Sequence, residues 1–425
     1  MRLLAKSLSR EDPVAVSIDF LEHLFTGYRE RNFRVRFWDG SSWGAASNPR
    51  FTLVLNHPGA LRSMFLSATE VGIGEAYIYK DFDIEGDLEA AFDLSDFVLA
   101  QKRGLSQRLY LGTILGRLPV HGRPRLLPQL HGPQHSKSRD RAAVSYHYDL
   151  PPDFFATFLD RRMVYSCAYF HSPLDELETA QEHKLDYICR KLRLCPGDRF
   201  LDIGCGWGAL VIHAATHYRA HCLGITLSEP QARVGRERIR EAGVETQCRI
   251  EVCDYRDLRD GQFDKIASVG MFEHVGEARL PEYFHRAWQI LLPGGVFLNH
   301  GIARSTQYRQ TAPSFTDVYV FPDGELVPIN TTARLAEEAG FEIRDVESLR
   351  EHYALTLHHW LTRLEAAAEP ARRATNETTY RIWKLYIAGS AHWFRTGKLN
   401  LYQSLLCKPE HGRSGLPLTR TDWYQ

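Results

Sequence analysis

Apolar and polar residues follow a strand-like period in the first hundred residues of the chain. Residues 33–38, FRVRFW, alternate apolar and basic side chains, and residues 51–55 form a second short apolar run. A Pro-Gly break then leads into a helical stretch that begins at Ala60. This pattern predicts a small α+β domain over residues 1–100, and no catalytic group stands out within it.

From Ala143 onward the pattern changes to strands that alternate with longer helices. Helical periodicity at 181–192 leads through a Pro-Gly pair into the buried strand 200–203. The further predicted strands are 222–226, 250–253, 265–269 and 296–299, and the helices between them include 230–242 and 281–291. Strands separated by helices of ten or more residues are typical of an α/β fold with a doubly wound, mostly parallel sheet. We predict such a domain over residues 143–425.

Composition narrows the class of protein. The 425 residues suggest two or three domains at roughly 150 residues each, and the 44% hydrophobic and 24% charged content is that of a folded globular protein. No apolar run approaches the ~18–20 residues that cross a bilayer, and the first residues turn polar too soon for a signal peptide. Eight cysteines without a CxxC pair indicate reduced thiols and no metal site. We therefore expect a cytoplasmic protein.

The charge of the chain is zero in total but uneven along its length. Fifty-two basic and 52 acidic side chains remove any simple argument for nucleic-acid binding. The net charge is −5 over residues 1–100, +8 over residues 101–142 and −3 over the remainder. We interpret 101–142 as a basic linker, either a solvated connector or a patch that docks on anionic lipid headgroups. In the second case apolar insertion would come from Leu109, Leu111, Ile114, Leu115, Leu126 and Leu127.

A glycine-rich loop, DIGCGWGA at 202–209, follows strand 200–203 at the edge where open α/β sheets bind ligands. Read loosely, it fits the dinucleotide pattern G-x-G-x-x-G/A, so a nicotinamide enzyme is one alternative and a ligand-free turn is another. An NAD site needs an acidic side chain about 20 residues further on, whereas the next strand ends in GITLS. Asp202, two residues before the first glycine, can face a cationic ligand. This favours S-adenosylmethionine.

Six sequence blocks in a fixed order connect the chain to one family. LDIGCGWG, GITLSEPQ and SVGMFEHVG, with SYHYDLPPDFF and YSCAYF upstream and LNHGI downstream, resemble the cyclopropane-fatty-acid synthase family, which includes the mycolic-acid cyclopropane synthases. The resemblance covers residues 145–408, and GIGEAYIYKDFDIEGDL resembles the small first domain of longer members. It implies a class I, Rossmann-like methyltransferase that uses S-adenosylmethionine, and it hints at a homodimer.

The resemblance also assigns the cofactor-binding residues. Asp202, Gly204 and Gly206 would border the methionine part of the cofactor, and Thr226 and Gln231 would reach the ribose hydroxyls. Asp254 and Tyr255 would frame the adenine, and Tyr165 and Ser166 would close the site from the other side. Cys205 and Leu227, which lie beside these residues in the chain, complete the predicted set.

The reaction of the family requires more of the site than binding of the cofactor. A poor alkene nucleophile must be desolvated and aligned with the sulfonium methyl group. Ring closure then needs the loss of a proton beside a carbocation, which a permanently charged carboxylate would risk trapping. Family members use a bound bicarbonate ion as general base, and the matching positions here are Cys167, Glu273, His300, Ile302 and Tyr353. A thiol, an imidazole, a backbone N–H and a phenol can all donate to the ion, and Glu273 can share a proton with it.

Each of these residues taken alone has an ordinary structural interpretation, and only the joint match to one family's site favours function. One position departs from the family, since Ser390 stands where many members carry a cysteine in the late helix. The chemistry needs no thiolate there, so we expect no loss of activity from it. A set of aromatic residues could either stabilise the cation or pack the core: Phe170, Phe272, Tyr319, Trp360, Trp383 and Trp393.

We therefore hypothesise a cytoplasmic enzyme, peripherally associated with the inner face of the membrane. It would transfer a methylene carbon from S-adenosylmethionine to the cis double bond of an unsaturated phospholipid acyl chain at an anionic membrane surface. The alternatives are a relative that makes a methylene- or methyl-branched fatty acid, a small-molecule methyltransferase, and a lipid-binding protein with a vestigial cofactor loop. The intact base site favours ring closure, and the unbroken glycine motif argues against a binding protein.

Overall fold

The computed structural model describes residues 12–28, 32–67, 69–122, 131–258, 262–308, 310 and 312–424. The chain divides into two compact units. The amino-terminal unit comprises residues 1–127 with 313–315. The second unit comprises 128–312 and 316–425, and it is called the catalytic unit because the resemblance predicts the enzyme site within it.

The amino-terminal unit surrounds a four-stranded sheet. Its elements are α1 (Pro13–Leu24), β1 (Phe33–Arg36), β2 (Ser42–Gly44), β3 (Phe51–Leu55), α2 (Ala60–Phe65), α3 (Glu70–Ile78), β4 (Phe82–Gly86), α4 (Leu88–Ala100) and α5 (Leu105–Gly116). The strand order is β2-β1-β3-β4, in which β1 and β3 are parallel and the outer strands are antiparallel to their neighbours. Both strands predicted from the sequence of this unit are present.

Three side chains of the amino-terminal unit, His57, Asp81 and His121, hold their ligand atoms within 4.8 Å of one another. The backbone N–H of Gly59 donates to Nδ1 of His57 at 3.1 Å, so the ring carries its proton on Nε2, which donates to Asp81 Oδ1 at 2.9 Å. An imidazole in this form has no lone pair free for a metal ion. We therefore assign the cluster a structural role.

The catalytic unit is an α/β sandwich. It contains α6 (Lys137–Tyr148), α7 (Pro152–Phe155), α8 (Leu177–Leu192), β5 (Arg199–Ile203), α9 (Ala209–Tyr218), β6 (His221–Thr226), α10 (Glu229–Ala242), β7 (Cys248–Val252), β8 (Phe263–Val269), α11 (Leu280–Ile290), β9 (Leu291–Arg304), α12 (Phe315–Tyr319), α13 (Ile329–Glu338), β10 (Glu342–Ser348), α14 (Arg350–Ala366), α15 (Ala368–Ala374), α16 (Glu377–Thr396) and β11 (Leu399–Cys407).

The seven-stranded sheet has the order β10-β11-β9-β8-β5-β6-β7, and β11 is the one antiparallel strand. Successive residues of β5 face opposite sides: Phe200 belongs to the same core cluster as Ile188 of α8, and Leu201 belongs to a second cluster with Phe284 of α11. Helices therefore cover both faces, and the predicted doubly wound, mostly parallel α/β fold is confirmed. The chain reverses its direction of travel across the sheet between β5 and β8, which opens a ligand crevice at their carboxyl ends.

Local sequence signals explain where α10 begins and ends. Ser228 caps the helix by accepting from the N–H of Gln231, Pro230 stands in the first turn, and Gly243 adopts φ +68° just past the end. The helix begins directly after β6, so these caps bring Thr226 and Gln231 close together at the sheet edge.

The segment 101–142, predicted as a linker, contains helices in the structure. α5 belongs to the amino-terminal unit, where it packs on α1 and α2, and α6 belongs to the catalytic unit. Ile114 and Leu115 are buried by this packing and are therefore not available for insertion into a bilayer, while Leu126 and Leu127 lie outside the described residues. Among the helices that the structure describes, none is long and apolar enough to cross a membrane.

Candidate active site

One cavity of the catalytic unit lies at the carboxyl ends of β5 and β6. It collects every residue predicted to bind the cofactor: Tyr165, Ser166, Asp202, Gly204, Cys205, Gly206, Thr226, Leu227, Gln231, Asp254 and Tyr255. These residues come from four separate stretches of the chain, and the fold brings them to one place. Their individual roles remain predictions.

The glycine loop turns sharply from β5 into α9. Gly204, Gly206 and Gly208 have φ values of +82°, +55° and +84°, which residues with a side chain rarely adopt. The backbone N–H groups of Gly204 and Cys205 both donate to the carbonyl of Ile225 on β6, at 2.9 Å. The loop is thereby held against the neighbouring strand and leaves space above it for a ligand.

Asp202 is one of three acidic side chains that line the cavity among the described residues. Its side chain is buried at 3% exposure, and Oδ1 has no hydrogen-bond partner within the described part of the chain. Burial raises the pKa of Asp202 to about 7, while the nearby Lys184 opposes this shift. An unpartnered buried carboxylate fits a cationic ligand group, as the methionine part of S-adenosylmethionine requires.

The polar residues at the end of β6 form a small network. The hydroxyl of Thr226 donates to Oε1 of Gln231 at 2.8 Å and accepts from the N–H of Ser228 at 3.2 Å. The hydroxyl of Ser228 in turn donates to Asp149 at 2.9 Å. The side chains predicted to contact the ribose are therefore oriented before any ligand binds.

Asp254 and Tyr255 follow β7. Burial alone would raise the pKa of Asp254, but hydrogen bonds from Arg256 bring it below the usual value. The guanidinium of Arg256 contacts both carboxylate oxygens of Asp254 and also Asp140 of α6, at 2.6 to 2.9 Å. The carboxylate predicted to frame the adenine is thus charged and held rigidly.

Tyr165 and Ser166 close the cavity from the opposite side. Tyr165 stacks on Trp360, with ring centroids 5.1 Å apart, and its hydroxyl lies 3.4 Å from that of Tyr386. Ser166 accepts from Nζ of Lys184 at 2.9 Å. Burial lowers the pKa of this lysine to about 8.

Glu273 and Ile302 of the predicted base site are in direct contact. The backbone N–H of Ile302 on β9 donates to Oε1 of Glu273 at 2.6 Å. The other carboxylate oxygen, Oε2, is buried and has no partner among the residues described. Burial raises the pKa of Glu273 to about 7, and the bond from Ile302 opposes the shift. This carboxyl is therefore able to exchange a proton near neutral pH.

Cys167 and Tyr353 approach each other through Leu349, which precedes α14. The thiol of Cys167 lies 3.8 Å from the carbonyl of Leu349, and the N–H of Tyr353 donates to that carbonyl at 3.0 Å. Burial raises the pKa of both groups well above their usual values, so each keeps its proton.

His300 completes the predicted set. It is fully buried on β9, and its Nδ1 lies 3.1 Å from Nε2 of Gln403, while its own Nε2 has no partner in the described chain. Burial lowers its pKa well below the usual value. Two polar atoms of the predicted base site, Glu273 Oε2 and His300 Nε2, are therefore buried without a partner. Buried polar atoms of this kind are usually satisfied by a bound water, ion or ligand.

Sequence reasoning missed Lys184, although a signal existed. Leu177, Gln181, Lys184, Ile188 and Lys191 recur at helical spacing on one face of α8, and all are buried. Polar residues on an otherwise apolar stripe mark a site that the fold must satisfy. Tyr148 and His274 also line the cavity. They were missed because neither belongs to a motif of characteristic spacing in the sequence.

Three of the aromatic residues singled out in the sequence lie in two different places. Trp360 and Trp383 both lie within 6 Å of Tyr165, beside the cavity, whereas Phe272 packs in the core around Tyr283 and Phe284. Ser390, at the position of the family cysteine, is buried and hydrogen-bonds to Tyr386.

The sheet order, the single antiparallel strand and the loop at the end of β5 define a class I methyltransferase fold. A family model described as "Mycolic acid cyclopropane synthetase" matches residues 135–404, and a domain of unknown function matches residues 20–96. The chain is 41% identical, over 92% of its length and 96% of the other, to a probable fatty acid methyltransferase of Pseudomonas putida. It is 39% identical to the cyclopropane-fatty-acyl-phospholipid synthase of Escherichia coli, over 63% of this chain and 68% of that one.

Among solved structures, the mycolic acid cyclopropane synthase CmaA1 in complex with SAH and CTAB matches with a TM-score of 0.60 and 34% identity, covering 63% of this chain and 97% of that chain. The chain belongs to the mycolic acid cyclopropane synthetase family. It is an S-adenosylmethionine-dependent methyltransferase of the cyclopropane and fatty acid methyltransferases.

Proposed function

We propose that this protein is a cyclopropane-fatty-acyl-phospholipid synthase. It transfers a methylene carbon from S-adenosylmethionine to the cis double bond of an unsaturated acyl chain, with bicarbonate as general base. The observation that carries the proposal is that two residues which the family resemblance assigns to the base site, Glu273 and His300, each keep a buried polar atom without a partner in the described chain, Oε2 and Nε2.

Different residues of the cavity bind different parts of the cofactor. Asp202 holds the cationic methionine part, while Thr226 and Gln231 hold the ribose. The cofactor, when bound, supplies an electrophilic methyl group. Tyr165 and Trp360 exclude water from the place where the acyl chain and that methyl group must meet, which strengthens the electrostatic interactions there.

The base site positions a proton acceptor without placing a bare carboxylate against the substrate. Bicarbonate, when bound, supplies the general base. Cys167, Tyr353 and His300 keep their side chains as neutral donors or acceptors because burial disfavours their charged forms. Glu273, with a pKa of about 7, takes up or gives back a proton as the reaction requires.

A second candidate is the formation of a methylene- or methyl-branched fatty acid without ring closure. A relative that matches nearly the whole chain, in Pseudomonas putida, is named a probable fatty acid methyltransferase, and this favours the second candidate. The relative named a cyclopropane synthase matches only 63% of the chain. Membership of the family fits both candidates, so the structure of the modified acyl chain must distinguish them.

The deciding experiment incubates the protein with methyl-labelled S-adenosylmethionine and vesicles of monounsaturated phospholipid, followed by mass spectrometry of the acyl chains. A gain of one CH2 that resists hydrogenation supports the cyclopropane ring. A product that takes up hydrogen indicates a methylene branch, and a gain of CH4 indicates a saturated methyl branch. Absence of label from the acyl chains contradicts both candidates.

We further propose that α5 docks the enzyme on the anionic membrane that holds its substrate. Leu105 and Leu109, one helical turn apart, are 76% and 62% exposed. Lys102 and Arg108 are exposed beside them, in the segment of net charge +8. Apolar side chains flanked by basic residues are the pattern of helices that lie in a membrane interface.

A further inference from the structure

Two polar side chains outside the predicted site, Gln403 of β11 and Lys191 of α8, are fully buried. Gln403 contacts His300, and Lys191 contacts Gln403. We infer that Gln403, oriented by Lys191, holds the imidazole of His300 in the form protonated at Nε2, so that the ring presents a hydrogen-bond donor to the base site. Both are positioning residues. The link to bicarbonate rests on the proposed function, whereas the form of the imidazole does not.

The pairing of β9 with β11 brings the first two residues together. His300 and Gln403 stand directly opposite each other in the antiparallel register, and Nε2 of Gln403 lies 3.1 Å from Nδ1 of His300. Opposite residues of an antiparallel pair place their side chains on the same face of the sheet. The contact is therefore set by the register of two long strands.

Lys191 decides which end of the Gln403 amide faces the histidine. Its Nζ lies 3.0 Å from Oε1 of Gln403, and an ammonium group only donates. The reverse orientation would set the amide NH2 against the ammonium, two donors facing each other in a buried site. The amide oxygen therefore faces Lys191, and the amide NH2 faces His300.

Lys191 is itself fixed by charge and by aromatic packing. It forms ion pairs with Glu347 and, at 3.6 Å, with Asp345, both on β10. Its ammonium group also lies over the rings of Tyr187 and Trp423, at 4.6 and 5.3 Å from their centroids. Removing a lysine from water is costly, and buried polar groups of this kind can be retained because they select one arrangement of their neighbours.

The state of His300 follows from these contacts. The ring is neutral because burial, with the positive charges of Lys184 and Lys191, lowers its pKa well below the usual value. A neutral imidazole has one proton, and Nδ1 must be the acceptor because it receives the amide N–H of Gln403. The proton is therefore on Nε2, which is buried and has no partner elsewhere in the described chain. Such a nitrogen can donate to an anion.

The form of the imidazole can be measured directly by 15N NMR on the full chain labelled in histidine, without cofactor or substrate. The His300 signals are identified by their loss in His300→Gln. We expect an unprotonated Nδ1 and a protonated Nε2 in the wild-type protein, and loss of this single form in Gln403→Met. A proton on Nδ1 in the wild-type protein, or an unchanged His300 pattern in Gln403→Met, would overturn the inference.

Activity measurements then connect this form to the base site. In carbonate-depleted buffer, Gln403→Met should raise the bicarbonate concentration for half-maximal acyl modification by about tenfold, the size expected for losing one hydrogen bond to a charged group. The KM for S-adenosylmethionine should stay within about twofold, since the cofactor contacts are unchanged.

Tyr283→Phe is the matched control. It removes a buried hydrogen bond of 2.8 Å to Asn299, the neighbour of His300 on β9, and should leave both the imidazole form and the bicarbonate dependence unchanged. An equal rise in both variants would mean general damage to β9 and would count against the inference. If the wild-type protein modifies no acyl chain, the proposed function fails, and the NMR result still decides the inference.

Discussion

At the residue scale, Asp202 and Glu273 show how the site is prepared for ligands. Each is a buried carboxyl group that keeps one oxygen without a partner in the described chain, and burial raises the pKa of each to about 7. Such groups destabilise a folded protein. Both belong to residues that the family resemblance assigns to ligand binding, and Glu273 makes predictions about activity and stability possible.

Replacing Glu273 with glutamine should abolish turnover while leaving cofactor affinity largely intact. The variant keeps the acceptor for the N–H of Ile302 but loses the group that exchanges a proton near neutral pH. Acyl modification and binding of S-adenosylmethionine, the latter by calorimetry, are measured on the same preparation. Loss of cofactor binding would mean that Glu273 has been assigned the wrong role.

The same substitution should change how stability depends on pH. The pKa of Glu273 is about 7 in the folded protein, above its usual 4.5, so the wild-type protein loses stability as pH rises through this window. Between pH 5 and pH 8 it should lose about 2–3 kcal/mol relative to Glu273→Gln, measured by urea unfolding without bicarbonate. The exposed Glu245→Gln should follow the wild-type curve. Parallel curves for all three proteins would contradict the prediction.

At the element scale, the strand–loop–helix turn that carries the cofactor site depends on glycine for two different reasons. Gly206 and Gly208 both have positive φ values, but a Cβ at 206 would meet nothing within 4 Å. A Cβ at 208 would lie 2.7 Å from Cδ1 of Ile250 on β7. Backbone strain acts at both positions, whereas crowding acts only at the second.

Alanine at these two positions should separate strain from crowding. We expect Gly206→Ala to lower the free energy of unfolding by about 1 kcal/mol, from the left-handed backbone alone. Gly208→Ala should lose a further ~1–3 kcal/mol because Ile250 must move in a packed core. Urea unfolding of both variants at one pH provides the comparison. Equal losses of unfolding free energy in the two variants would show that Ile250 can move aside without destabilising the core.

At the scale of the whole molecule, zero net charge conceals a basic segment, part of which forms α5. The helix has a buried side, with Ile114 and Leu115, and an exposed side, with Leu105 and Leu109. A protein whose substrate lies in an anionic bilayer needs a local basic and apolar surface, and not a basic total. This makes membrane binding testable separately from catalysis.

Binding to vesicles that contain phosphatidylglycerol should weaken with salt, because the screening length falls from about 10 Å at 0.1 M to about 3 Å at 1 M. Leu109→Glu should lower the bound fraction further, since it places a charge where an apolar side chain would insert. Leu418→Glu, at a fully exposed leucine of the catalytic unit, is the control. Cosedimentation that is insensitive to salt, or equally affected by both variants, would contradict docking through α5.

Much of the fold could be predicted because its signals are local. The predicted strands 200–203 and 222–226 lie within β5 and β6, and the helix predicted over 230–242 is α10. Periodicity and capping residues act within a few turns of the chain, so a linear pattern is sufficient. The linker prediction failed to identify α5 as part of the amino-terminal unit, because charge and scattered prolines outweighed a weak helical pattern whose buried side is short.

The sequence by itself determined the fold class and the family, and it predicted eleven of the residues that line the cavity, since motif order carries that information. Only the tertiary structure decided which polar atoms remain without partners, that Lys184 and Lys191 face inward, and that Gln403 stands opposite His300. These properties arise from burial and from register between strands distant in the chain. Desolvation, which raises the pKa of Glu273 and keeps His300 neutral, depends on every element packed around the site and on no single segment.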